Sequence, residues 1–180
     1  PTSNGFASSI EVNWIAPGWF KTLGDAGYRV IAIENRGHGA SDKPHSPDAY
    51  ATIRMAEDAR ALLDHLGIAK TFVQGYSMGA RLALALALRF PGRVASLLLI
   101  GARAGIENAA ERAARRRADE ALADRIETDG IEAFVDEWLA QPLFASQQRV
   151  GREFAAAQRR QRLDNDARSL AASLRGMGPG

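Results

Sequence analysis

Gly75-Tyr76-Ser77-Met78-Gly79 is the stretch best suited to chemistry. A short apolar run, Lys70-Thr71-Phe72-Val73-Gln74, leads into it, and a long Ala/Leu run, Ala80 to Phe90, leads out. That order reads as strand, tight turn and helix with a serine at the apex. Such a turn forces the serine backbone into strain, and its flanking positions must be glycine or very small. The Ser77 hydroxyl is then pushed out above the sheet edge as a nucleophile. The Met78 N–H, at the start of a helix, is free to receive developing negative charge. A serine in this role needs a base, and the base needs a carboxylate to orient it. The three histidines, His38, His45 and His65, all precede Ser77.

The elements that must position this serine follow from periodicity. Residues 1–9 read as a loop. Residues 10–27 read as a short helix, with Pro17 in its first turn and an end at Gly24 or Gly27. The β-branched run at 28–34 reads as a buried strand, and 35–51 as loop. Thr52 is placed to cap a helix running to about Leu66, with Met55, Ala59, Leu62, Leu63 and Leu66 on one face and Gly67 as its stop. His65 near its end is expected in solvent, and His45 has no evident partner. Val94–Ile100 is a further buried strand. Strands alternating with helices argue for an α/β fold with a parallel sheet covered on both faces. After Gly101 no strand-like run appears. Helices are expected near 108–128, 130–140, 146–162 and 164–175, punctuated by Asp129-Gly130 and Pro142.

These motifs together resemble the α/β-hydrolase superfamily, whose nucleophile elbow is the G-x-S-x-G turn. Asn4-Gly5-Phe6 is similar to the His-Gly-Phe step after the third strand of many members, with Asn4 where histidine is usual. The resemblance implies that the N–H groups of Phe6 and Met78 form the oxyanion hole. Asn35-Arg36-Gly37-His38-Gly39-Ala40-Ser41-Asp42 resembles the loop after the fourth strand, in which the histidine is structural rather than the catalytic base. The resemblance divides the chain into a partial core, 1–102, carrying the elbow at 75–79, and an all-helical cap, 103–180.

Within the cap, Ala113-Ala114-Arg115, Phe134-Val-Asp-Glu-Trp138, Gln141-Pro-Leu-Phe-Ala-Ser146 and Ser173-Leu-Arg-Gly-Met-Gly178 resemble the 2-succinyl-6-hydroxy-2,4-cyclohexadiene-1-carboxylate synthases (MenH) of menaquinone synthesis. That likeness covers about 80–180. Residues 1–80, and Ala80 where the synthases usually carry a second glycine, look more like generic esterase-type members. The synthase likeness implies pyruvate elimination from a polycarboxylate, with Ser77 in proton abstraction. It also implies substrate contacts from Tyr76, Arg81, Arg115, Trp138 and Arg159. Guanidinium forks suit carboxylates, and a planar Trp can exclude water from a carbanion-like intermediate. A carboxylic-ester or C–C bond hydrolase, and a non-catalytic hydrolase-like binding protein, are the alternative readings.

The superfamily order is Ser, then Asp or Glu, then His, so the acid and base are expected outside this 180-residue chain. Strands one to three are expected before residue 1, leaving the strands at 28–34 and 70–76 on either side of an empty slot. The chain therefore reads as an internal fragment, N- and C-terminal parts of the fold missing, inactive and poorly folded alone. It contains no cysteine, which excludes disulfides and thiolate metal sites. A net charge of +2 with acids and bases interspersed argues against a nucleic-acid face. No apolar run is long enough to span a membrane, and no export signal opens the chain. A cytoplasmic enzyme without metal or cofactor, acting on a small carboxylate-bearing substrate, is the expectation.

Overall fold

A computed structural model describes residues 1–145 and 150–178. Four parallel strands form one sheet: β1 (Thr2–Ser3), β2 (Ala32–Ile33), β3 (Thr71–Tyr76) and β4 (Val94–Ile100), in spatial order β2-β1-β3-β4. Six α-helices accompany them among the described residues: α1 (Trp19–Asp25), α2 (Thr52–His65), α3 (Met78–Arg89), α4 (Ala109–Leu139), α5 (Arg152–Leu163) and α6 (Ala167–Met177). Right-handed crossovers put α1 on one face and α2 and α3 on the other. The α2/α3 side is packed: Ala56, Val73, Ala83 and Leu86 are buried together, with Leu97 and Leu99 against them. On the opposite face Phe72 is 61% exposed and Leu98 49%, and α1 contributes no buried residue.

The expected empty slot is filled at its upper end, beside the elbow. Thr2 and Ser3 pair with Ala32 and Ile33 on one side and with Gln74 and Gly75 on the other. The Gln74 N–H donates to the Pro1 carbonyl (2.9 Å). Residues 1–9 are thus strand and then loop, not loop throughout. The strand expected over 28–34 is confined to Ala32–Ile33, because β1 offers only two residues to pair with it. Tyr28, expected in the interior, is 55% exposed and meets Phe72 edge-on.

The helix expected over 10–27 is two pieces, a wide π-helical turn at Glu11–Ile15 followed by α1. Thr52 does not cap α2; Ala51 stands at the cap, and the Thr52 hydroxyl donates instead to the Met177 carbonyl (3.4 Å). α4 runs through both segments expected at 108–128 and 130–140, but Gly130 breaks its geometry at φ 85°. The start expected for the next helix, at Ser146, lies outside the described residues, and α5 begins at Arg152.

α6 ties the helical half to the sheet half. Asp166 caps it through the Ser169 N–H (2.7 Å) and also meets His45 Nε2 (3.0 Å), a partner the sequence did not suggest. Ser169 shares a hydrogen bond with the buried Tyr50 hydroxyl (2.7 Å). A Cβ at Gly176 would overlap the Pro47 carbonyl, so the helix lies directly on the 47–50 turn. On its other side Arg175 meets Glu120, Asp124 and Glu127 of α4.

Candidate active site

Ser77 stands between β3 and α3 with φ 53° and ψ −112°, a conformation few residues other than glycine adopt. Its N–H donates to the Ile100 carbonyl (2.8 Å), and its own carbonyl accepts from Ala80 N (3.1 Å) and Arg81 N (3.3 Å). The turn is therefore held by the neighbouring strand and by the first turn of α3. A Cβ at Gly75 would overlap the Gly79 carbonyl, and one at Gly79 would overlap the Ser3 carbonyl. Both flanking glycines are thus required by contact with backbone, as the motif predicts.

The loop after β1 passes over this turn. A Cβ at Gly5 would lie 3.1 Å from the Tyr76 ring and 3.6 Å from the Ser77 Cβ. Asn4, fully buried, does the work of orienting the loop. Its amide donates to the Ser8 carbonyl (2.9 Å) and its Oδ1 accepts from Asn35 N (3.2 Å). The Asn35 amide returns a bond to the Asn4 carbonyl (2.9 Å). The departure from histidine at this position is thereby compensated. Ala7 takes φ 51°, and its N–H donates to His38 Nε2 (3.1 Å). His38 Nδ1 bonds the Arg36 carbonyl (3.1 Å). One nitrogen must therefore donate and the other accept, which is the neutral ring. Burial agrees with this, pushing the His38 pKa down to about 4. Both nitrogens are occupied by backbone, so His38 is structural and braces this loop. The N–H groups of Phe6 and Met78 have no acceptor among the described residues.

Ser77 opens into a cavity of about 350 Å³ whose wall includes Phe6, Tyr76, Trp138, Phe144 and Arg162. Trp138 packs against Phe6 (5.6 Å between ring centres), Phe134 (5.6 Å) and Phe144 (5.9 Å). Its buried Nε1–H has no partner among the described residues. Four of the residues expected in the site therefore meet: Phe6, Tyr76, Ser77 and Trp138. Met78 adjoins them at the start of α3, its side chain in the core with Tyr50 and Leu82.

The three expected arginines do not line this cavity. Arg81 is bonded to the Met177 carbonyl (3.1 Å) and to the Gly178 carbonyl. Burial lowers its pKa, and the nearby Arg115 lowers it further. Arg115 itself pairs with Asp119 one turn along α4 (2.8 Å). Arg159 points outward to Asp136 (2.8 Å) and Glu132 (3.0 Å), hydrogen bonds that raise its pKa and lower that of Asp136.

Among the described residues, the arginine in the wall is Arg162, which residue-by-residue matching passed over. It is 4% exposed. Nη1 donates to Gln158 Oε1 (2.6 Å), and the guanidinium lies 5.6 Å from the centre of the Phe144 ring. No carboxylate bonds to it among the described residues. Burial pulls its pKa down to about 10, still charged at neutral pH. A sequence signal existed: Phe154, Gln158 and Arg162 repeat every four residues, one stripe of a helix, and all three line the cavity.

Among the described residues, no histidine, aspartate or glutamate lines the cavity. Among the described residues, no group of three or more His, Asp or Glu side chains is placed to hold a metal ion, and no helix is long and apolar enough to cross a membrane.

A family model for the alpha/beta hydrolase fold matches residues 4–174. A Bacillus subtilis (strain 168) protein, provisionally named 2-succinyl-6-hydroxy-2,4-cyclohexadiene-1-carboxylate synthase, is 42% identical over 152 residues, 84% of this chain and 56% of that protein. The structure of MenH from S. aureus superposes with a TM-score of 0.89 at 29% identity, covering 99% of this chain and 65% of that one. A malate-bound thermophilic esterase from Thermogutta terrifontis superposes with a TM-score of 0.77 at 27% identity, covering 98% and 61%. The chain thus spans little more than half the length of the curated relatives it matches. With a strained serine at a glycine-bounded elbow, a parallel sheet behind it and a family match over nearly its whole length, this chain belongs to the alpha/beta hydrolase fold family.

Proposed function

We propose that the full-length protein carrying this segment is a serine-dependent enzyme acting on a small carboxylate-bearing substrate, most like the synthase that eliminates pyruvate. The observation that carries this reading is Arg162. It is a buried, charged guanidinium with no carboxylate partner among the described residues, in the same wall as Tyr76 and Trp138 and facing the cavity of Ser77. A buried charge left without a counter-ion is costly, and an anionic substrate would supply the missing partner. In the proposed reaction Ser77, deprotonated by a base outside the described residues, takes a proton from substrate carbon. The electron pair left behind breaks the C–O bond and expels pyruvate as its enolate, which becomes pyruvate by taking a proton on carbon. Charge developing on a substrate carbonyl is met by the N–H groups of Phe6 and Met78. Trp138, walled by Phe6, Phe134 and Phe144, keeps water from the intermediate. The reaction as proposed uses no cofactor.

The test is pyruvate release by the full-length protein. Arg162→Ala removes charge-assisted hydrogen bonds and should lower kcat/KM about 10- to 150-fold. Arg159→Ala, acting on an outward-facing ion pair, should leave it nearly unchanged. Turnover of a neutral p-nitrophenyl ester should survive both. Equal losses on the two substrates would defeat the carboxylate reading. They would favour the ester hydrolase, which the likeness to the esterase and the internally bonded Arg81 and Arg115 support. Failure of a fluorophosphonate to label Ser77 would leave the non-catalytic binding protein.

A further inference from the structure

The only buried side chains of α5 are Gln158 and Arg162. A helix on a protein surface ordinarily turns apolar residues inward. This one turns an amide and a guanidinium, four residues apart and so on one face, into the wall of the Ser77 cavity. They are 5% and 4% exposed. Gln158 Oε1 accepts from Arg162 Nη1 at 2.6 Å, and the Gln158 main-chain carbonyl accepts from the same nitrogen at 3.3 Å. The Phe144 ring lies 5.6 Å from the guanidinium carbon. Nε and Nη2 have no protein acceptor among the described residues.

We infer that Gln158 is a positioning residue for a carboxylate subsite: it fixes the plane of the Arg162 guanidinium through a neutral acceptor, leaving the charge for the ligand. The inference rests on the reading of Arg162 given above. A buried arginine is most simply satisfied by a carboxylate, and a glutamate at 158 would have the reach to provide one. It would also cancel the charge that attracts an anion. An amide supplies the same acceptor oxygen on the same stem without that cancellation. The Phe144 face adds a second restraint, so the fork is held before a ligand arrives and less ordering entropy is lost on binding. Gln158 therefore separates two jobs, orientation and neutralisation, that an ion pair would merge.

The experiment uses full-length protein with succinate as the probe and succinamide as its neutral counterpart. Binding is measured by calorimetry and by competition with p-nitrophenyl acetate turnover. Wild type should prefer succinate. Gln158→Glu should weaken succinate about 10- to 150-fold, the scale of a charge-assisted hydrogen bond, and affect succinamide binding and ester KM much less. Gln158→Met, of similar shape but with no comparable acceptor, should weaken succinate about 2- to 12-fold; it carries the test if glutamate unfolds the helix. Succinate affinity unchanged in both variants, but lost in Arg162→Ala, would overturn the role of Gln158 alone. Succinate affinity unchanged in Arg162→Ala would overturn the carboxylate reading and this inference with it. Parallel loss of succinate binding and ester turnover in the Gln158 variants would mark a merely structural residue and also overturn it.

Discussion

Replacing His38 with glutamine should destabilise the protein at neutral pH and do so much less in mild acid. His38 is fully buried, and its two nitrogens serve the Ala7 N–H and the Arg36 carbonyl. Burial lowers its pKa from the ordinary 6.5 to about 4. The unfolded chain therefore takes up the proton first as pH falls. The stability His38 contributes is full above about pH 6.5, declines below that, and is exhausted once pH has dropped through about 4. Each pH unit across that window is worth about 1.4 kcal/mol, so about 3 kcal/mol is at stake in total and about 2 kcal/mol by pH 5. Glutamine does not titrate and keeps at most part of the bonding. Its cost at pH 7.5 should be about 1–3 kcal/mol, the penalty for leaving one buried backbone group unpaired. The assay is urea unfolding of full-length wild type and His38→Gln at pH 7.5 and pH 5. Comparing the pair at each pH cancels every other titrating group. The mutational cost should shrink by about 2 kcal/mol between the two conditions. A cost independent of pH would refute the reasoning, because it would mean that the ring is not held neutral by its surroundings. Ester turnover should fall with stability, since protonation removes the acceptor for Ala7 N–H beside the Phe6 donor.

Three glycine substitutions separate steric contact from backbone strain. Gly79→Ala drives a methyl into the Ser3 and Asn4 carbonyls, which cannot move without dragging β1. It should cost about 3 kcal/mol or more, whereas Gly92→Ala, with open space around it, should change the thermal midpoint little. Gly130→Ala also meets no neighbour, so only its backbone conformation, φ 85° and ψ 175°, resists, at about 1–3 kcal/mol. Because Phe134 and Trp138 lie just beyond that kink, the same variant should also slow ester turnover measured below its melting temperature.

What could be read from the sequence is what short-range sterics dictate. The elbow is legible because every part of it is local. A strand must turn into a helix within one residue of Ser77, and only glycine survives at 75 and 79, so the letters themselves record the geometry. The structural role expected of His38 comes instead from the likeness of its loop to the superfamily's, and the two backbone bonds of its ring agree with it. β1 is different. Two residues, Thr2 and Ser3, have no periodicity to read, and they become a strand only because Ala32–Ile33 and Gln74–Gly75 present edges on either side. The same dependence shortens β2, whose β-branched run promises seven residues and finds partners for two. The arginines of the helical half show the limit most clearly. Arg152, Arg159, Arg160 and Arg162 all lie on α5, and their types are equally suited to a carboxylate. Which one faces the serine depends on how the helix is rotated about its axis. An apolar stripe normally fixes that rotation, but here the inward stripe is Phe154, Gln158 and Arg162, with one apolar residue in three. The helix has given up hydrophobic burial at the positions that would have revealed its orientation, and a surface helix has a physical reason to do so where a charged group must stand ready for a ligand. The residue the sequence marked only faintly and the residue proposed to bind substrate are the same one, and for the same cause.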